Sequence, residues 1–254
     1  MSATRKDRII ALLKGIETGD PEAVKVVNEG KYIQHNPQTH EGSEGLAALF
    51  ARLSKTSPRV NIVRIFEDGD FVFAHTEYDF ADSNIGFEIF RFKNNQAVEH
   101  WDNIQRRSGP NVSGHSMVDG PTEVTDRKLT ESNRDLVESY VEDILIYRRL
   151  QNLGTYISDD CYIQHNPMID DGSPALREAL EAKSGDNLMF GYERNHRILA
   201  EGNYVLSVCE GWLDEVHSSF FDLYRVADGK LVEHWDTIES IPPRDEWKNE
   251  NGKF

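Results

Sequence analysis

The hexapeptide Tyr32-Ile33-Gln34-His35-Asn36-Pro37 recurs unchanged as Tyr162-Ile163-Gln164-His165-Asn166-Pro167. A second run follows each copy: Val98-Glu99-His100-Trp101-Asp102 returns as Val232-Glu233-His234-Trp235-Asp236. The histidines of the two runs lie 65 positions apart in the first copy (35 to 100) and 69 in the second (165 to 234). Between them, Arg64-Ile65 before Gly69 matches Arg197-Ile198 before Gly202, and Phe90-Arg91 matches Tyr224-Arg225. Several matches in the same order establish an internal duplication, with one α+β unit of roughly 110–130 residues written twice.

Each copy reads as helices first and strands afterwards. In the first, Ile9, Ile10, Leu12, Leu13 and Ile16 recur with helical spacing. Asp20-Pro21-Glu22 has the form of an N-cap, a first-turn proline and an acidic first turn. Leu46, Leu49, Phe50 and Leu53 form the inner face of a third helix. After Pro58 the period changes to that of strands, near 59–67, 70–80, 85–93 and 96–105, with turns at Asp68-Gly69 and Asn94-Asn95. The second copy repeats this with helices near 133–150 and 174–183 and strands near 192–200, 203–214, 217–227 and 230–240. Helices followed by hairpin-linked strands predict an α+β fold, an antiparallel sheet with helices on one face. The domain boundaries expected are 1–107 and 133–254. Residues 108–132 form an ordered connector anchored by Met117, Val118 and Val124.

Bulk properties narrow the function classes. The 254 residues carry 28 Lys+Arg against 44 Asp+Glu, a net charge of −16. Such a field repels phosphate backbones and anionic lipid, so no nucleic-acid or membrane partner is expected. Hydrophobic residues at 38% and aromatics at 10% suffice for packed cores. No apolar run reaches the length of a membrane span, and the first residues lack the apolar block of a signal peptide. With two cysteines only, Cys161 and Cys209, a reducing cytoplasm is the expected compartment.

The Y-I-Q-H-N-P turn, the last strand Gly229-Lys-Leu-Val-Glu-His-Trp-Asp236 and the connector Ser113-Gly-His-Ser-Met-Val-Asp-Gly120 resemble the SnoaL-like family. That family sits within the nuclear-transport-factor-2-like (NTF2-like) and ketosteroid-isomerase-like superfamily. The similarity is greatest to its branch of predicted SnoaL-like aldol-condensation-catalysing enzymes, and it covers nearly the whole chain, once per half. The resemblance implies two tandem cone-shaped units, each with three N-terminal helices packed on a curved antiparallel sheet. It further implies an apolar pocket between sheet and helices, and dimerisation through the outer sheet face. The tandem then forms either an internal pseudo-dimer or a homodimer, which light scattering separates.

Strand alternation places Val98, His100, Asp102 and Ile104 on one face and Glu99, Trp101 and Asn103 on the other. His100 with Asp102, and His234 with Asp236, can therefore share a pocket as general acid and base. The resemblance places His35 and His165 at the pocket rim, with Asn36 and Asn166 beside them. The bland alternative is that each histidine caps a turn or satisfies a buried carbonyl. The copies differ: the first has His75 and Glu88, where the second has Val208 and Asp222, the family's usual acid. If one site alone is catalytic, the first copy is favoured; otherwise neither is complete and the pair binds without turnover. The cone lining is expected to include Phe73, Phe90, Phe92, Phe190, Leu206 and Tyr224.

By resemblance, His35, His100 and Asp102 would remove a proton alpha to a carbonyl and stabilise the enolate, with no cofactor. The expected activity is that of a lyase or isomerase acting on a small apolar carbonyl compound. A ligand-binding module without catalysis is the runner-up. Metal-assisted hydrolysis comes third, since His35, His75, His100 and Glu88 or Asp102 could supply ligands, but their spacing is no zinc signature and no metal is expected.

Overall fold

In the computed structural model, residues 3–28, 30–80, 82–158 and 161–254 are described. The chain divides into two compact units: Met1–Arg106 together with Ile241–Phe254, and Arg107–Ser240.

The first unit opens with α1 (Arg5–Thr18), capped by Thr4 and Asp7, each side chain bonding the other's backbone N–H. Its buried residues Ile9, Leu12, Leu13 and Ile16 form the expected stripe. The helix expected after Asp20 is a 3-10 turn, Pro21–Val26, whose first N–H groups are met by the Asp20 carboxylate, 2.9 Å from Glu22 N. There follow β1 (Ile33–Gln34), α2 (Gly42–Leu53), β2 (Arg59–Asp68), β3 (Phe71–Asp79), β4 (Ser83–Lys93) and β5 (Gln96–Arg106). The sheet order is β1-β5-β4-β3-β2. Consecutive strands pair antiparallel, and β1 joins β5 in parallel, Gln34 opposite His100. Leu46 and Phe50 of α2 and the α1 stripe pack with Val72, Ala74, Phe90 and Phe92 in one core.

The second unit repeats this plan. It has α3 (Thr130–Tyr140), continued by one π-turn at Val141–Ile146, then the single-turn α4 (Leu153–Tyr156), β6 (Ile163–Gln164) and α5 (Ser173–Glu181). A two-residue hairpin, β7 (Lys183–Ser184) and β8 (Asn187–Leu188), precedes β9 (Phe190–Glu201), β10 (Tyr204–Leu213), β11 (Val216–Ala227) and β12 (Lys230–Ser240). The sheet order β6-β12-β11-β10-β9 matches the first sheet strand for strand. The fold is therefore α+β, two copies of helices on an antiparallel sheet.

The expected domain boundaries need correction at both joints. The segment 107–132 belongs to the second unit, because Asn111 Nδ2 donates to Gln164 O (2.6 Å) and Ile169 O (3.0 Å). The last 14 residues, Ile241–Phe254, belong to the first unit. There Asn249 Nδ2 donates to Asn36 O (2.8 Å) and Thr39 O (3.1 Å), and Asn251 Nδ2 to Gln34 O (3.1 Å). These asparagines thus satisfy backbone carbonyls at and flanking each H-N-P turn. No helix of the described residues is long and apolar enough to cross a membrane.

Candidate functional site

Chain alternation decides what enters the first cone. On β5, His100, Asp102 and Ile104 line a cavity of about 250 Å³, together with Glu88 and Phe90 of β4 and Tyr78 of β3. Leu12, Leu13, Ile16, Leu46, Leu49 and Phe50 form its apolar wall.

At its base the polar groups make a continuous chain. Tyr78 Oη donates to Glu88 Oε1 at 2.6 Å, and Glu88 Oε2 lies 2.6 Å from His100 Nε2. His100 Nδ1 lies 3.0 Å from Gln34 Oε1, which also accepts the Asn36 N–H at 2.9 Å. A backbone donor identifies that Gln34 atom as the oxygen, so His100 Nδ1 carries a proton. Asn36 Nδ2 then donates to Asp102 Oδ2 at 2.8 Å. Asp102 Oδ1 and the Tyr32 hydroxyl are buried and make no hydrogen bond among the described residues.

Electrostatics assigns the charges. Burial opposes a charged His100 ring, but the hydrogen bond and charge of Glu88, with the charge of Asp102, outweigh it and raise the His100 pKa. The ring lies between Glu88 and Gln34, an environment that favours its charged form, with Phe90 stacked on it at 4.4 Å. Burial, then the charges of Glu88 and Asp102, push the Tyr32 hydroxyl well above its usual range, so it remains a donor. Asp102 is held at Oδ2 by Asn36, while its Oδ1 accepts no hydrogen bond among the described residues.

The second unit keeps the same chain with different members. Tyr192 Oη donates to Asp222 Oδ1 at 3.1 Å, and His234 Nε2 lies 3.0 Å from that oxygen. His234 Nδ1 lies 2.8 Å from Gln164 Oε1, and Asn166 Nδ2 donates to Asp236 Oδ2 at 2.6 Å. Burial and the neighbouring Asp222 charge, only partly offset by His234, push Asp236 up to about 6. The cavity here is about 20 Å³, lined among others by Tyr140, Tyr162, Phe190, Tyr192 and Tyr224. That is room for about one water molecule.

Several expected site residues lie elsewhere. The His35 N–H donates to His100 O at 2.9 Å, which continues the β1 ladder by one residue. Parity therefore turns His35 away from Gln34 and onto the Glu99–Trp101 face. There it stacks on Trp101 at 4.6 Å, with Nε2 2.9 Å from Glu99 Oε1 and Nδ1 2.9 Å from Gly252 O. His165 does the same with Trp235, Glu233 and Ser116 O. On β3, Ala74 packs in the cone core and Tyr78 lines the cavity, so the odd-numbered residues face the other way. Phe73 accordingly packs on Phe66 and Phe87, and His75 on Arg64 and Phe87. Leu206 is likewise absent from its cone's lining, and Phe92 and Asn166 do not line a cavity: Phe92 packs in the core, and Asn166 acts through Asp236.

Tyr32, Gln34 and Tyr78 are the site members not singled out from sequence. The first two stand inside the repeated hexapeptide, but nothing marked Tyr78, whose counterpart is Gly211. Carboxylate and imidazole atoms of Glu88, His100 and Asp102 lie within 4.8 Å of one another, as do those of Asp222, His234 and Asp236. A cation in the first group would have to displace the His100–Glu88 bond. The ligand set that included His35 and His75 is not brought together.

The sequence model of the SnoaL-like domain matches residues 9–100. No curated protein matches the sequence. Among solved structures, TsrD from Streptomyces laurentii is similar at 20% identity and TM-score 0.36, over 39% of this chain and 87% of its own. A proposed polyketide cyclase from Bacillus cereus is similar at 19% identity and TM-score 0.37, over 40% of this chain and 74% of its own. A proposed ketosteroid isomerase from Kribbella flavida is similar at 20% identity and TM-score 0.38, over 45% of this chain and 84% of its own. Residues 9–100 thus belong to the SnoaL-like domain family, and the second unit repeats their motifs and strand order.

Proposed function

We propose that the first unit is a lyase or isomerase that removes a proton alpha to the carbonyl of a small, largely apolar compound without a cofactor. One observation carries this reading: Asp102, on the wall of a largely apolar cavity, is fixed at Oδ2 by Asn36 while its Oδ1 accepts no hydrogen bond among the described residues. A carboxylate so placed is desolvated and oriented, the two conditions that make it a competent base. The Tyr32 hydroxyl supplies the donor for the enolate oxygen, and the imidazolium of His100 favours negative charge nearby. His100 therefore acts by its charge, while Asp102 moves the proton.

The test is hydrogen–deuterium exchange at alpha carbons of a panel of cyclic ketones, followed by mass spectrometry in deuterated buffer. The intact protein is expected to accelerate exchange. Asp102→Asn should lower it by about 10²–10⁴-fold, and Tyr32→Phe by about 10²-fold. A ketone that binds in the cavity without exchanging would instead support a non-catalytic binding module.

A further inference from the structure

The strand that ends the second unit runs on into a tail that returns to the first. Lys253 of this tail is 4% exposed. Its Nζ donates to Asp102 O at 2.7 Å and stands 4.0 Å from Asp102 Oδ1. β1 pairs with β5 only at Glu99 and His100, so the Asp102 carbonyl lies beyond the parallel ladder. The ammonium caps that carbonyl and brings a positive charge beside the carboxylate.

The tail is held independently of Lys253. Asn249 and Asn251 bond the carbonyls of Gln34, Asn36 and Thr39, Lys248 N donates to Pro37 O at 2.8 Å, and Gly252 O meets His35. Gln34 and Asn36 are the residues that hold His100 and Asp102. The clasp therefore fixes the site from behind while Lys253 reaches the base itself.

A similar clasp closes the second unit, with one change. Asn111-Val-Ser-Gly114-His115 has the pattern of Asn249-Glu-Asn-Gly252-Lys253, and both glycines have positive φ, 92° and 87°. The two clasps differ in register, since His165 meets Ser116 O where His35 meets Gly252 O; His115 turns to Asp171 at 3.0 Å, and no lysine or arginine pairs with Asp236 among the described residues. Two carboxylates and one histidine make up each site, so the lysine balances the second negative charge in the first unit alone.

We propose that Lys253 is a positioning residue of the first unit's site, supplied by the chain's far end, which keeps the Asp102 carboxylate ionised and aimed into the cavity. This rests on the reading of Asp102 as the base. The charged and titratable groups facing Asp102 are Glu88 from β4, His100 from β5, Tyr32 ahead of β1, Tyr78 from β3 and Lys253 from the tail, with Arg52 of α2 at the cavity wall. Lys253 is the one cation among them that is neither a ring already committed to Glu88 nor an exposed side chain.

The experiment follows the Asp102 carboxyl by carbon-13 NMR in the full-length protein as pH is varied, in wild type, Lys253→Met and Lys253→Arg. The Met variant should bind the Asp102 proton about tenfold more tightly, moving the midpoint up by about one pH unit, and Arg should restore most of that. Asp236 should titrate unchanged in all three. A Met variant that stays folded by thermal melting and titrates like wild type overturns the proposal, as does an Arg variant that shifts as far as Met. Because the readout needs no substrate, these shifts can appear even if no ketone is ever exchanged. That outcome would reject the reaction while leaving the role of Lys253 standing.

Discussion

Asp236 shows what burying the second carboxylate costs when histidines alone offset its charge. Its folded pKa, about 6, lies above the ordinary value of 3.8 because burial and Asp222 disfavour the charge. A folded state that binds a proton more tightly than the unfolded chain loses stability as pH rises, here between about 4 and 6. Above that window the penalty is constant, of order 3 kcal/mol for about two pH units. Asp236→Asn removes the charge and keeps an oxygen for Asn166. It should raise the melting temperature at pH 7 to 8, and the gain should vanish as pH falls toward 4. Urea denaturation across that range measures it, and a pH-independent difference would contradict the buried charge. His35 calls for a different expectation. It bonds Gly252 and Glu99 and stacks on Trp101, outside the cavity. His35→Ala should cost about 1–3 kcal/mol of stability, and any loss of exchange activity should track the loss of tail docking rather than a missing base.

The hairpins explain why one cone is open and the other filled. On β3 and β4, Tyr78 lies over Gly86: a Cβ at 86 would stand 2.5 Å from the Tyr78 ring and 2.6 Å from Thr76 Oγ1. On β10 and β11 the same positions hold Gly211 and Phe220. A Cβ at Gly211 would meet Gly191 O at 2.1 Å, because the β9 ladder shifts register there and the backbones close in. No tyrosine fits at 211, so the hydroxyl that meets the carboxylate comes from the cross-strand partner, Tyr192, while Val60 holds that place opposite Tyr78. Phe220 then packs on Tyr192 at 4.4 Å. The α3 stripe Val137, Tyr140, Val141, Ile144 has the spacing of Ile9, Leu12, Leu13, Ile16, so Tyr140 replaces Leu12. Phe220→Ala should cost about 3–5 kcal/mol and open a cavity in the second unit, visible as ligand binding that wild type lacks there.

The duplication, the strand order and the parity of His100 with Asp102 were legible because they depend on repeats and on a period of two. Which face of β3 met the helices was not legible: Phe71, Phe73 and His75 make as good an apolar face as Ala74, Thr76 and Tyr78. The exchange of tyrosine between strands was hidden for the same reason that no copy-to-copy match exists at Gly211.

At the scale of the whole molecule, the two units share motifs but differ in capacity, and the difference predicts a stoichiometry. A cavity of about 250 Å³ with an open carboxylate oxygen stands in the first unit, against about 20 Å³ in the second. The second cavity has room for about one water molecule, so the second cone excludes even a small cyclic ketone without rearranging buried tyrosines. Intact chain should therefore bind one ketone, not two, when titrated by calorimetry. Leu12→Tyr brings into the first cone the ring that Tyr140 provides in the second, and should reduce the stoichiometry toward zero at little cost to far-ultraviolet circular dichroism. Binding of two ketones per wild-type chain, or one that survives Leu12→Tyr unchanged, would mean that the ligand enters somewhere other than the first cone.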